Sequence, residues 1–216
     1  MKGMTFLVII FFATLIIPQS ENKSKYFSLS LSGGTCTNNP ISYYFYGETE
    51  DEFINPGLYV NFGVGYGPFR ILDLTEFSMA VTVGYTKVST SVIELEHYPS
   101  DAQLIIETFP VLIWGRLQTD TKLSPFIELG IGASRLNFLE MYSYGLNGTS
   151  FNYWAFAYAS GAGLKYIISE DFEIALAVSG ITNEKEHIEM NDRYHNAGIN
   201  VRNVVYAFYL RVDYNL

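Results

Sequence analysis

The chain has 216 residues, 49% of them hydrophobic and only 16% charged, with a formal charge of −9 at pH 7. The charged share lies well below the ~25% of ordinary soluble domains, and the acidic balance argues against nucleic acid as a partner. Cys36 is the only cysteine, so no intrachain disulfide can form and the fold must rest on backbone pairing and burial.

The N-terminal stretch MKGMTFLVIIFFATLIIPQS places Lys2 before an apolar run from Phe6 to Ile17, which Pro18 breaks. That order predicts a secretory signal peptide over residues 1–20, leaving residues 21–216 as one exported domain. Loss of Lys2 would take the formal charge from −9 to −10. Beyond this stretch no apolar window of about 18 residues occurs, so no spanning helix is expected.

Period-2 alternation follows along most of the chain. Phe27, Leu29 and Leu31 alternate with serines; Leu58, Val60, Phe62, Val64 and Tyr66 with Tyr59, Asn61, Gly63 and Gly65. The same pattern runs from Phe77 to Tyr85, Ile127 to Ala133, Trp154 to Tyr166, Phe172 to Val178 and Val204 to Leu216. Each reads as a β-strand with unlike faces. Leu104 to Trp114 is apolar almost throughout, so it reads as a strand of undefined facing, and Pro110 hints at a bulge. Eight strands result. Long connectors (Gly34–Pro56, Ser89–Ala102, Leu136–Phe151, Ile181–Arg202) alternate with shorter ones (Gly67–Glu76, Gly115–Ser124, Ile168–Asp171). Long loops on one rim, with short turns and both termini on the other, is the layout of an up-and-down outer-membrane β-barrel.

The residues of the second face decide which solvent meets the bulky one. A water-facing exterior carries about a quarter to a third charged residues. Here that face holds only Glu128, Lys165, Glu173, Arg211 and Asp213 over the seven alternating strands, among Gly, Ala, Ser and Thr. Small residues suit the crowded interior of a barrel of ~8 strands. The Phe, Tyr, Leu and Val face therefore belongs against hydrocarbon, on strands of about 9–11 residues. Phe27, Tyr66, Phe77, Trp154, Tyr166, Phe172 and Tyr214 would form aromatic girdles. Backbone groups in lipid must all be paired, so first and last strands must meet.

The leader, the eight strands, the segment SPFIELGIGAS and the aromatic alternation at the C-terminus resemble the small eight-stranded outer-membrane barrels, the OmpA-like barrel domain and the OmpX-like proteins. The resemblance implies an all-β antiparallel barrel, monomeric, with periplasmic termini, inserted by the barrel-assembly machinery and surrounded by outer-membrane lipid and lipopolysaccharide. Barrels of these families usually end in Phe or Trp, whereas this chain ends in Leu216, and no OmpA-like wall-binding domain is expected. No cofactor is expected.

Three sets of residues are candidates for chemistry. The interior charges Glu128, Lys165, Glu173, Arg211 and Asp213 are expected to pair, with Arg211 bridging carboxylates through its fork, either as a plug or as a narrow polar path. In the last long loop Glu184, Glu186, His187, Glu189, Asp192 and His195 cluster without the spacing of a defined metal site; Glu48, Glu50, Asp51 and Glu52 in the first loop read as a solvated acidic face. The segment RYHNAGIN resembles the His-x-Ser-Asn motif of outer-membrane lipid A 3-O-deacylases, where His serves as base for a Ser nucleophile. Only Asn196 matches: Arg193 stands at the His position, His195 at the Ser position, and Asp213 is the sole carboxylate that follows. Tyr43, Tyr44, Phe45 and Tyr46 form an aromatic run suited to adhesion or to extending a strand above the membrane. The predicted role is non-enzymatic, in envelope integrity or surface contact.

Overall fold

The computed structural model describes residues 27–38, 41–45, 48–52, 54–90, 102–142, 150–184, 186–192, 195–201 and 203–216. The proposed signal peptide, the loop segment 91–101, Tyr46 and Arg193 lie outside the described residues. Twelve strands occur among the described residues: β1 Phe27–Asn38, β2 Ile41–Phe45, β3 Glu48–Glu52, β4 Ile54–Leu72, β5 Thr75–Thr90, β6 Ala102–Thr119, β7 Leu123–Tyr142, β8 Ser150–Ile167, β9 Phe172–Asn183, β10 Glu186–Asp192, β11 His195–Val201 and β12 Val204–Asn215. Eight of them close into a barrel in the order β1-β12-β9-β8-β7-β6-β5-β4. Every barrel pairing is antiparallel, and closure runs through β1 and β12, with Leu31 opposite Val212 and Thr37 opposite Tyr206. At the short-turn rim the Leu216 amide donates to the Phe27 carbonyl at 2.9 Å, so both described ends of the chain sit there.

The outward face is the bulky one. Leu29, Leu31, Phe62, Val81, Ile113, Ile131, Phe156, Leu176, Phe208 and Leu210 all stand exposed around the wall. So continuous an apolar belt far exceeds the largest patch of a typical soluble monomer, about 300–600 Å². Its margins carry Tyr66, Tyr166, Phe172 and Tyr214 near the turn rim and Trp154 and Tyr206 near the other, where amphipathic rings suit the headgroup level.

Three expectations are corrected. The strands of the taller wall are far longer than 9–11 residues: β4 has 19, β6 18 and β7 20. Above the belt the outward positions become Lys87, Glu107, Arg135 and Asn152; backbone pairing continues there although no lipid enforces alternation, so pattern reading stops short. The first and last long connectors are themselves largely β-structure, forming a separate four-stranded sheet in the order β10-β11-β2-β3. Pro110 makes no bulge. It interrupts the β5–β6 rungs between Val83↔Val111 and Thr86↔Thr108 without shifting the register. The register shifts lie instead in the β4–β5 pairing, between Asn55 and Leu58, Tyr66 and Phe69, and Arg70 and Leu72; in the second of these Gly67 takes φ +122°, a conformation side chains disfavour. Strand β6 is apolar on both faces because Leu112 and Trp114 fill the interior while Val111 and Ile113 face out.

Candidate functional site

The lumen is filled in layers, each set by strand register. Nearest the turn rim is an ionic layer. Arg116 and Glu128 are direct cross-strand neighbours on β6 and β7, and Arg116 holds Glu128 Oε2 from Nε at 3.0 Å and from Nη2 at 2.9 Å. From across the barrel, Arg211 on β12 reaches the same oxygen with Nη1 at 3.3 Å while its Nε donates to Asp213 Oδ2 at 3.0 Å. The Tyr209 hydroxyl donates to Glu128 Oε1 at 3.0 Å. Both guanidinium groups lie over the Phe126 ring, at 5.1 Å for Arg116 and 4.7 Å for Arg211. Lys165 and Glu173 form their own pair at 3.0 Å.

This layer brings together all five interior charges singled out above, in two groups. Pairing them is a necessity of burial: Glu128 and Arg211 are each only 3% exposed, and an isolated charge there would cost several kcal/mol, on the order of 3–5 when one partner is removed. Arg211 does bridge two carboxylates, but by single contacts from Nη1 and Nε rather than a parallel fork. Sequence reading missed Arg116, Tyr209 and Phe126. Arg116 falls within the expected Gly115–Ser124 connector but lies in β6; the signal that locates it is parity, since Leu112, Trp114, Arg116 and Gln118 share one face of β6. Glycines open the niches for these side chains. A Cβ on Gly161 would lie 3.0 Å from Glu128 Cγ, and one on Gly163 would lie 2.5 Å from Phe126 Cζ.

Above the ions sits an aromatic layer. The Tyr59 and Tyr209 rings pack at a tilt of 31° with centroids 4.9 Å apart, Trp114 Nε1 donates to Thr82 Oγ1 at 2.9 Å, and Leu112 is buried. Next comes a layer of amides and hydroxyls, where Asn203 Nδ2 crosses the barrel to Thr108 Oγ1 at 3.1 Å. Among the described side chains, Ile54, Val88, Ile106, Leu136, Phe138 and Val205 close the far end with buried apolar groups. At the turn rim a cavity of about 40 Å³ borders Arg116, Lys165, Glu173 and Asp213; a water needs about 10–15 Å³ by the same kind of measure, so it admits a few waters.

Of the other candidate residues, those in β2, β3, β10 and β11 belong to the outer sheet, where the row Ile188–Ile199–Tyr43–Glu50 crosses all four strands. Asp192 is the direct cross-strand partner of His195, whereas His187 pairs with Asn200 and Glu189 with Gly198. Asn196 and His195 begin β11, whereas Asp213 sits at the far end of β12, bonded to Arg211. From Val204 to Asp213 a strand at ~3.3 Å per residue covers about 30 Å, far beyond the reach a base needs for its orienting carboxylate.

The sequence matches no protein-family model, and no curated protein sequence is similar to it. Solved structures do resemble the fold. The outer membrane protease OmpT of Escherichia coli aligns with a TM-score of 0.56 at 6% identity, covering 92% of this chain and 99% of that one. The outer membrane protein OprG of Pseudomonas aeruginosa aligns at 0.52 with 14% identity, over 89% and 98%. The outer membrane protein AlkL, solved in DMPC bilayers, gives 0.51 at 12% identity over 92% and 93%. Closed topology, an outward apolar belt and these likenesses together make the chain an eight-stranded antiparallel β-barrel with the fold of the small outer-membrane barrels.

Proposed function

We propose that the chain is a sealed, non-enzymatic outer-membrane barrel that acts through its outer loops. The carrying observation is the filled lumen: a paired ionic layer, an aromatic layer and an apolar cap lie in series along it. Apolar constrictions oppose ion passage because they hold no water, and the turn-rim cavity of about 40 Å³ leads into the ionic layer. In this reading residues 1–20 are a cleaved leader, the turn rim and both termini face the periplasm, and the long-loop rim faces outward among lipopolysaccharide. The fold itself chooses no activity; OmpT, a protease by name, is among the similar structures. The non-enzymatic reading is supported by the missing Ser at position 195 and by the distance from β11 to Asp213. Planar bilayers containing the purified protein should show no single-channel steps, and lipid A should keep its mass when the protein is expressed. Discrete steps altered by Arg211→Ala, or a lipid A mass change abolished by His195→Ala, would overturn the reading.

A further inference from the structure

We propose that Arg135 binds the phosphate of an anionic lipid headgroup at the upper edge of the apolar belt. This deepens the reading that the long-loop rim sits among outer-leaflet lipid, and rests on it.

The height of Arg135 follows from parity and length. Leu123, Ile127, Leu129 and Ile131 stand exposed on β7, and Ala133 continues their face. From Leu123 to Ala133 a strand covers roughly 33 Å, which at a tilt near 40° is about 25 Å of height, that of the apolar band. Arg135 is the next outward residue and is exposed, so its stem can lie along hydrocarbon with the guanidinium among the headgroups. Register sets it between two rings, opposite Phe109 on β6 and Trp154 on β8. Phe109 in turn packs on Tyr85, with centroids 5.1 Å apart; such rings mark the interface.

Arg135 also lacks what the other described arginines have. Arg70, Arg116 and Arg211 each contact a carboxylate, whereas Arg135 meets none among the described residues. Glu107, one outward row higher on the neighbouring strand, is already engaged: it accepts from the Tyr85 hydroxyl at 2.8 Å and lies 3.9 Å from Lys87 Nζ. An anion arriving at Arg135 therefore meets a free guanidinium beside a neutralised carboxylate. The planar fork matches two phosphate oxygens. Because the chain as a whole carries −9 and repels anionic lipid, any attraction has to be local.

The chain's two tryptophans make the site readable: Trp154 is 63% exposed beside Arg135, whereas Trp114 is buried in the lumen. The whole mature chain is refolded into phosphocholine nanodiscs holding a small fraction of phosphatidic acid brominated near the top of its acyl chains. A second set holds the same fraction of equally brominated phosphatidylcholine. Bromine quenches a tryptophan that it touches, so loss of Trp154 fluorescence reports which lipid lies there. Phosphatidic acid should be enriched about fivefold over phosphatidylcholine, the preference expected of one cation at a membrane surface. Arg135→Gln should abolish the enrichment, Arg135→Lys should keep part of it, and Glu107→Gln should increase it. Arg70→Gln, at the turn rim, should leave it unchanged, as should excess inorganic phosphate. Equal quenching by the two lipids, or enrichment that survives Arg135→Gln, would overturn the proposal. So would a decrease on Glu107→Gln, a loss on Arg70→Gln, or displacement by inorganic phosphate, which would make the ligand a free anion. None of these results touches the sealed-lumen reading, which bilayer conductance decides separately.

Discussion

Replacing Glu128 by Gln removes the charge on which the ionic layer converges while keeping the side chain's volume. Three donors meet that carboxylate: Arg116 at 2.9 Å, Arg211 at 3.3 Å and the Tyr209 hydroxyl at 3.0 Å. Arg211 keeps Asp213 at 3.0 Å, but Arg116 loses the one carboxylate that it contacts among the described residues. Hydrogen bonds to charged groups contribute about 1.5–3 kcal/mol each, and breaking a buried pair costs about 3–5 kcal/mol. With Arg211 half-compensated, the expected loss is about 3 kcal/mol. Urea unfolding of the refolded barrel in lipid vesicles, followed by Trp fluorescence and by heat-dependent gel migration, reads it. A loss below about 1 kcal/mol, the range of exposed pairs, would refute the claim that the layer is a desolvated, mutually dependent plug.

The exposed pair Arg70–Asp120, with Arg70 60% exposed, provides the contrast: Arg70→Ala should cost about 0–1 kcal/mol in the same assay. Lys165 and Glu173 are buried partners at 3.0 Å, so Lys165→Met alone should cost about 3–5 kcal/mol, whereas Lys165→Met with Glu173→Leu should recover most of that loss. Leu210, outward near mid-strand on β12, should tolerate Phe but lose about 2–4 kcal/mol as Leu210→Arg, measured by vesicle unfolding. Gly163→Ala puts a methyl 2.5 Å from Phe126 Cζ and 2.6 Å from the Leu176 carbonyl. It should cost about 1–3 kcal/mol by overpacking and disturb the ring beneath both guanidinium groups.

The barrel was legible because lipid and a crowded lumen impose opposite demands on neighbouring residues. Ser28, Ser30 and Ser32 against Leu29 and Leu31 state the facing of β1 with no knowledge of any other strand, and hydrocarbon forces the sheet to close on itself. Strand β6 could not be read this way, since Leu112 and Trp114 fill a layer that happens to be apolar while Val111 and Ile113 meet lipid. That ambiguity hid Arg116, and with it the true partner of Glu128.

Alternation along one strand is a local property, so it names which residues point inward. It says nothing of which inward residues meet across some 80 positions of chain, as Arg211 and Glu128 do. The same limit holds above the membrane. Tyr43 and Ile199 become cross-strand partners only because β2 pairs with β11, a pairing written in neither loop. Membrane facing was settled by composition and period; the ionic plug, the upward extension of the wall and the four-stranded outer sheet were settled by strand pairing, a long-range choice that no short window of sequence encodes.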